Sequence, residues 1–149
     1  MNETNQKGLV TETYCQLAFT QLGIMLSKPI SQDCRYDYIA DINGKLIRIQ
    51  CKTSHLKEGG NSILFKTESI RGTTSQTIER VYTEEEIDYF YTWYNGISYL
   101  VPVSECGTRF SLYINEEVKA NNKSLLKFGK DYELKKILNE KFQYNASIV

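Results

Sequence analysis

The sequence lacks the cysteine spacing of a zinc site and any apolar run long enough to cross a membrane. Its four cysteines are far apart and form no CxxC pair, so a zinc site or a disulfide framework is not expected. No apolar stretch approaches the about 20 residues that a membrane-spanning helix needs. The first residues, MNETNQKGLV, lack the charged start and apolar run of a secretion signal. We therefore expect a cytoplasmic protein.

The sequence also lacks an excess of charge of one sign. Its 18 basic and 18 acidic residues give a net charge of zero, whereas sequence-independent affinity for DNA comes mostly from Lys and Arg neutralising phosphates. This balance argues against a general nucleic-acid-coating protein but not against a nuclease with a specific target. Lysines near the C-terminus indicate a solvated helix face rather than a DNA-contact surface. The acidic residues include a patch at Glu79, Glu84, Glu85, Glu86 and Asp88.

Length and patterning predict one α/β domain. At 149 residues, the chain can bury roughly 68% of its unfolded surface, and we expect residues 1–149 to form a single domain. Apolar periodicity predicts a helix over about residues 5–22, strands near 24–28, 36–42, 45–53 and 86–103, and a closing helix from Asp131 to Phe142. The predicted fold is a mixed central sheet flanked by helices.

The first predicted helix has a broad apolar arc, with Glu12 at its boundary. The arc contains Val10, Tyr14, Cys15, Leu17, Ala18, Phe19 and Leu22. A carboxylate at the boundary can reach the edge of the sheet on which the helix packs. An ordinary surface glutamate would occupy the same position, so periodicity alone does not assign Glu12 a role.

Residues 36–53 predict a β-hairpin with Asn43-Gly44 as its turn. Both central residues of a type I′ turn need a positive φ, and Asn-Gly is the strongest sequence signal for it. The two-residue loop fixes the register, which places Asp37 opposite Gln50 and Arg35 opposite Lys52. Directly opposed side chains lie about 5 Å apart on one face, and Lys52 follows on that face roughly 6.7 Å along the strand. An acid, an amide oxygen and an ammonium therefore converge.

This trio suits a hard divalent cation and an anionic substrate. Carboxylate and amide oxygens are typical ligands of Mg²⁺ or Mn²⁺, and a lysine adds a point charge for a phosphate or an attacking water. Ile47, Ile49 and Cys51 point to the other face and are predicted to be core. The alternative is a salt bridge between Asp37 and Lys52 on a solvated sheet face.

The order of these residues resembles the PD-(D/E)XK nuclease core: a helix with a glutamate, an aspartate at the start of a strand, and an acid or Gln followed by x-Lys on the next. The segments YDYIADINGKLIRIQCKT, EIDYFYTWYNGISYLVPV and RFSLYI are similar to endonucleases of this superfamily encoded in group I introns, over roughly residues 5–135. Tyr36 replaces the family's Pro. Gln50 replaces the usual Glu or Asp, which removes a negative charge from the site.

The resemblance implies a restriction-endonuclease-like core that cleaves double-stranded DNA at specific sites with Mg²⁺ or Mn²⁺. Asp37 would bind the metal, Gln50 would add its side-chain oxygen, and Cys51 would offer its backbone carbonyl. Lys52 would orient or activate the water and stabilise the developing charge, with Glu12 auxiliary. One small chain carries one site and two strands must be cut, so a homo-oligomer is implied, at least a dimer. The related intron endonucleases suggest a tetramer.

Three cationic residues are candidates for contact with DNA. Arg35 lies beside the trio, and Lys57 opens a Gly-rich loop that can approach a duplex closely. Arg71, with Ser69, Thr73, Thr74 and Ser75, offers donors to phosphates and base edges. A plain surface loop is the alternative for these polar segments, which flank one short strand-like run at 63–65. His55, the one histidine, could assist proton transfer, although no partner for it is visible.

Two other functions fit the same residues. A structure-selective nuclease resembling the archaeal Holliday-junction resolvases would use the same core as a dimer. A catalytically inactive module would keep the fold for DNA or protein binding, with Gln50 as the sign of a lost ligand.

Overall fold

The computed structural model describes residues 1–72, 76–118 and 123–145, without the side chains at 70–72 and 77. The described residues form two α-helices, α1 Glu3–Gln21 and α2 Leu134–Phe142. Neither helix is long and apolar enough to cross a membrane. The strands, in chain order, are β1 Met25–Ser27, β2 Tyr38–Ile42, β3 Lys45–Cys51, β4 His55–Leu56, β5 Ser62–Lys66, β6 Glu68–Gly72, β7 Thr77–Val81, β8 Tyr89–Tyr94, β9 Ile97–Pro102 and β10 Arg109–Tyr113.

The central sheet is mixed, as predicted. Its strand order is β1-β2-β3-β8-β9, with β3 and β8 parallel and the other pairs antiparallel. The predicted β2–β3 register is confirmed, with Ile42 opposite Lys45 and Tyr38 opposite Ile49. Asn43 and Gly44 have φ of 53° and 84°, the two positive values that a type I′ turn requires.

A second tight turn connects β8 to β9. Asn95 and Gly96 also have positive φ, 48° and 79°, as expected for an Asn-Gly pair within the predicted strand region 86–103, where this pair marks a tight hairpin. Alternation along β8 sends Tyr91 towards α1, where its ring lies 6.4 Å from the Phe19 ring. Phe90 points the other way and packs 5.9 Å from the Phe65 ring of β5. The central sheet therefore has α1 on one face and a second sheet on the other.

Helix α1 begins with an N-cap and buries a narrow stripe. The Asn2 side chain accepts the Asn5 N–H at 2.9 Å, and the buried residues follow helical spacing at Thr11, Cys15 and Phe19. The predicted broad arc is confirmed in part, since Cys15, Phe19 and Leu22 are buried and the Tyr14 ring stacks on the Trp93 ring of β8 with 3.8 Å between the ring centres. Its outer members remain exposed: Val10 by 40%, Tyr14 by 37% and Leu17 by 51%.

Residues 54–81 contain more strand than the sequence predicted. β4 and β5 form a small antiparallel sheet with β10, and β6 pairs with β7 as a separate two-stranded ribbon. The predicted loop around Arg71 is therefore partly wrong, since Arg71 belongs to β6 and pairs with Ile78. Thr73, Thr74 and Ser75 lie outside the described residues. The ribbon lacks a regular apolar alternation, which is why periodicity predicted only the run at 63–65.

The β2–β3 turn offers a direct test of the register. Gly44→Ala places a side chain at φ 84° and is expected to lower the free energy of unfolding by about 1–2 kcal/mol. Gly8→Ala is the matched control, because a Cβ there meets no atom within 4 Å and Ala favours a helix interior by about 0.5–1 kcal/mol. Urea unfolding of the two variants should give changes of opposite sign. Equal changes would contradict the turn assignment.

Candidate active site

Asp37 and Gln50 lie where β2 begins and β3 ends. The β2–β3 pairs end at Tyr38 opposite Ile49, and the Asp37 N–H donates to the carbonyl of that same Ile49 at 2.8 Å, so Asp37 lies beside the end of β3 without the predicted strand pairing to Gln50. The Asp37 Oδ2 atom accepts the Cys51 N–H at 2.7 Å. Gln50 Nε2 donates to the Cys51 carbonyl at 3.3 Å. The backbone of β3 thus fixes both polar side chains.

Glu12 reaches this end of the sheet from α1. The Tyr38 hydroxyl donates to the Glu12 carbonyl at 3.4 Å, which ties the helix to β2 next to Asp37. The Glu12 carboxylate lies 3.5 Å from the ammonium of Lys28, and Lys28 also lies 5.3 Å from the centre of the Tyr38 ring. Lys28 was missed by the sequence analysis, because no spacing rule connects a residue after β1 to this site.

Burial raises the pKa of Asp37 to about 6. The Cys51 N–H bond opposes this rise in pKa, and the nearby Glu12 carboxylate adds to it. Lys52 and Lys28 lower the pKa of Asp37, but they compensate only in part. The half-buried carboxylate is therefore short of positive charge.

The Lys52 side chain is partly buried, and its partners come from β6 and from the residue after β7. Its ammonium donates to the Glu68 carbonyl of β6 at 3.1 Å and lies 4.8 Å from the centre of the Tyr82 ring. Burial lowers the pKa of Lys52 to about 8, which Asp37 counteracts and Arg35 reinforces. An ammonium with few water contacts acts strongly on any charge that develops beside it.

An open cleft of about 500 Å³ begins at Lys52. It is lined by Lys52, Thr53, His55, Lys66, Glu68 and Ser69. The cleft lies between the end of β3, the β4–β5 sheet and the ribbon. It can admit an extended anionic substrate next to the Lys52 ammonium, and His55 faces the same space.

The three predicted DNA contacts have different environments. Lys57 is exposed, next to the turn that joins β4 to β5. The Arg71 side chain is not part of the described structure, so its contact with DNA stays a prediction. Arg35 is directed inwards: its Nε donates to Glu86 Oε2 at 2.7 Å, and both side chains are 15% exposed. Part of the predicted acidic patch is thereby neutralised within the protein, as Arg48 also pairs with Asp88 at 3.0 Å.

The oxygen atoms at this site suit a magnesium-type cation. Among the described residues, no hydrogen bond reaches Asp37 Oδ1 or Gln50 Oε1, and the Cys51 carbonyl has a second lone pair beyond the one used by Gln50. Mg²⁺ usually keeps several waters and takes only one or two protein carboxylates. The described residues contain no cluster of three His, Cys, Asp or Glu side chains, so a fully enclosed protein cage of such ligands is not formed.

Comparisons with known proteins bear on the family and the fold. A family model described as PD-(D/E)XK endonuclease matches residues 2–135. Among solved structures, the chain is similar to a bacterial homing endonuclease, I-Ssp6803I, with a TM-score of 0.70 and 19% identity over 89% of each chain. No curated protein matches the chain in a sequence comparison. The predicted fold and the predicted resemblance to PD-(D/E)XK nucleases are both confirmed.

The Asp37 carboxylate is expected to destabilise the protein when no cation is present. Its folded-state pKa of about 6 lies above the ordinary 3.8, so the folded protein holds the proton more tightly and the free energy of unfolding falls as the pH rises from about 4 to about 7. In chelator at pH 8, Asp37→Asn should therefore be more stable than the wild type by about 1–2 kcal/mol, allowing for solvent screening.

Thermal unfolding at pH 4.5 and pH 8 measures this difference. The advantage of Asp37→Asn should shrink at pH 4.5, where the wild-type carboxyl holds its proton. Asp33→Asn, at an exposed position, should not reproduce the pattern. An advantage of equal size at both pH values would contradict the buried-charge explanation.

Proposed function

Because the chain belongs to the PD-(D/E)XK endonuclease family, we propose that it is a metal-dependent, site-specific endonuclease that cuts both strands of DNA, of the intron-homing type. The main support for the proposal is that Asp37, just before β2, and Gln50 and Lys52, at the end of β3, lie at one end of the central sheet beside an open cleft. The fold likeness to a homing endonuclease supports the homing type over the junction-resolving type.

Asp37, the Gln50 side-chain oxygen and the Cys51 carbonyl would hold the cation, Mg²⁺ or Mn²⁺. When bound, the cation supplies Lewis-acid stabilisation of the phosphate charge and of the attacking water. The raised pKa of Asp37 supports this assignment, because an added positive charge would favour the ionised carboxylate. Glu12 is the second carboxylate at the site and takes an auxiliary role.

Lys52 supplies the charge stabilisation that the chain itself contributes. Phosphodiester hydrolysis builds negative charge on the phosphate oxygens in the transition state, and a fixed ammonium stabilises that charge without reorganising at the moment of reaction. The Lys52 ammonium is already held by the Glu68 carbonyl and the Tyr82 ring. The ammonium is therefore fixed at the mouth of the cleft before a substrate binds.

Cleavage of a duplex requires two such sites. Each chain carries one, so we propose a symmetric homo-oligomer, with a dimer as the minimum and a tetramer as the assembly. Lys57 and Arg71 remain proposed contacts to DNA, because both belong to segments that border the cleft or extend beyond it.

Lys52→Ala is expected to lower the cleavage rate by about 10²–10³-fold, because it removes one preorganised charge from the transition state. DNA affinity, measured with calcium in place of magnesium, should change by less than about threefold. Lys45→Ala is the matched control, since Lys45 is an exposed lysine at the opposite end of β3. Full activity of Lys52→Ala would exclude the assigned role.

The substrate class is decided by offering the protein several DNAs in one experiment. A pool of duplexes with long randomised and intron-junction sites, and a four-way junction, are each incubated with magnesium, manganese or chelator. Metal-dependent cleavage at one long duplex site, read by sequencing the ends, is the expected result. Cleavage of the junction alone would favour a resolvase, and intact DNA under every condition would favour an inactive module.

A further inference from the structure

The Lys52 ammonium is held by a part of the chain that is separate from both sheets. In the described part of the chain, β6 and β7 pair only with each other. Yet β6 provides the Glu68 carbonyl that accepts the Lys52 ammonium, and Tyr82 follows directly after β7. The position of the ammonium therefore depends on how the ribbon is attached to the body of the protein.

Arg35 makes that attachment. Its guanidinium donates to Ser69 Oγ of β6 at 2.5 Å, and to the carbonyls of Arg80 and Val81 in β7 at 3.4 and 3.3 Å. Its Nε donates to Glu86 at 2.7 Å. Since Arg35 lies two residues before Asp37, it connects the ribbon to the strand that carries the site.

Tyr82 connects the same guanidinium to Lys52. The Arg35 guanidinium carbon lies 3.7 Å from the centre of the Tyr82 ring, and the Lys52 ammonium lies 4.8 Å from the centre of that ring. Tyr82 is 8% exposed and packs edge-on against Phe90 at 5.4 Å. The ring is therefore fixed by the core on one side and by Arg35 on another.

We propose that Arg35 is a positioning residue that fixes the Lys52 ammonium through the ribbon and the Tyr82 ring, with Glu86 as its counter-ion. The proposal rests on the proposed function for its catalytic consequence. Lysine cannot replace arginine here, because the planar guanidinium donates in several directions while stacking on a ring, and a compact ammonium does not. Glu86 is also bound by Arg80 at 2.9 Å, which holds the counter-ion in place.

A direct contact between Arg35 and DNA is the rival assignment. Four of the five guanidinium N–H groups are used by the bonds above, and the Arg35 side chain is 15% exposed. A phosphate contact would require several of these bonds to break. The two assignments predict different kinetics for variants of Arg35.

Arg35→Lys is expected to lower kcat at saturating DNA by about 100-fold, since a displacement of about 1 Å in a catalytic group has an effect of that size. KM and the affinity for DNA should stay within about twofold, because the positive charge remains. Arg48→Lys is the matched control: Arg48 also bonds to an acid and to two carbonyls, but it does not contact Tyr82 or the ribbon in the described residues. Its kcat should stay within about threefold.

Tyr82 variants test the connection itself. Tyr82→Leu should lower kcat to the same extent as Arg35→Lys, because the ring that both cations contact is lost. Tyr82→Phe keeps the ring, so its kcat should stay within about threefold of the wild-type value. A loss in Tyr82→Phe as large as in Tyr82→Leu would overturn the role of the ring face.

A lysine NMR spectrum tests the positioning without any cleavage. In protein with ¹³C,¹⁵N-labelled lysine, the Lys52 side-chain signal is identified by its absence in Lys52→Ala. It should be shifted by the Tyr82 ring in the wild type and in Arg48→Lys, and move towards the other lysine signals in Arg35→Lys. Because the spectrum needs no DNA, it decides the positioning even if the wild type fails to cut and the proposed function is wrong.

Two further results would overturn the proposal. Unchanged kcat with weaker DNA binding in Arg35→Ala and a lower salt dependence would assign Arg35 to a DNA phosphate. An unmoved Lys52 signal in folded Arg35→Lys, whatever its kcat, would show that the ammonium is held without Arg35.

Discussion

The structure depends first on the pairing register of β2 and β3. A positive φ at both Asn43 and Gly44 closes the loop in two residues, and every later cross-strand pair follows from that closure. A slip of one residue would turn the buried Ile47 and Ile49 of β3 away from the core. Parallel pairing then carries the register across the sheet, as the Lys52 N–H donates to the Tyr91 carbonyl of β8 at 2.9 Å.

Charge burial at the end of this hairpin explains why the neighbouring elements are arranged as they are. Asp37 and Lys52 are displaced from their ordinary pKa values in opposite directions, in both cases mainly by burial. Each charge reduces the free-energy cost of burying the other charge but does not remove that cost. The surrounding chain supplies the remaining partners from its backbone, the Cys51 N–H for the carboxylate and the Glu68 carbonyl for the ammonium. Fixed dipoles of this kind are what a preorganised active site requires.

Sequence patterns predicted the parts of the molecule that local rules determine. The two Asn-Gly turns, the strand alternation and the β2–β3 register from Ile42 opposite Lys45 to Tyr38 opposite Ile49 follow from neighbouring residues. The ribbon and the Tyr82 contact do not, because Tyr82 and Lys52 are distant in sequence and meet only through tertiary packing. Arg35 shows the difference most clearly: the register placed it beside the site, but its inward direction depends on Glu86, Ser69 and the ribbon backbone.

Because Gln50 is neutral, the charge of the site is set by two carboxylates and two lysines. Glu12 and Asp37 are matched by Lys28 and Lys52, which both act on the Asp37 carboxylate, so the ionised site is close to neutral before any ligand arrives. An acid in place of Gln50 would add a negative charge, which strengthens cation binding but repels a phosphate. Under the proposed function, the present arrangement favours a cation and a DNA phosphate that bind together, each supplying the charge that the other needs.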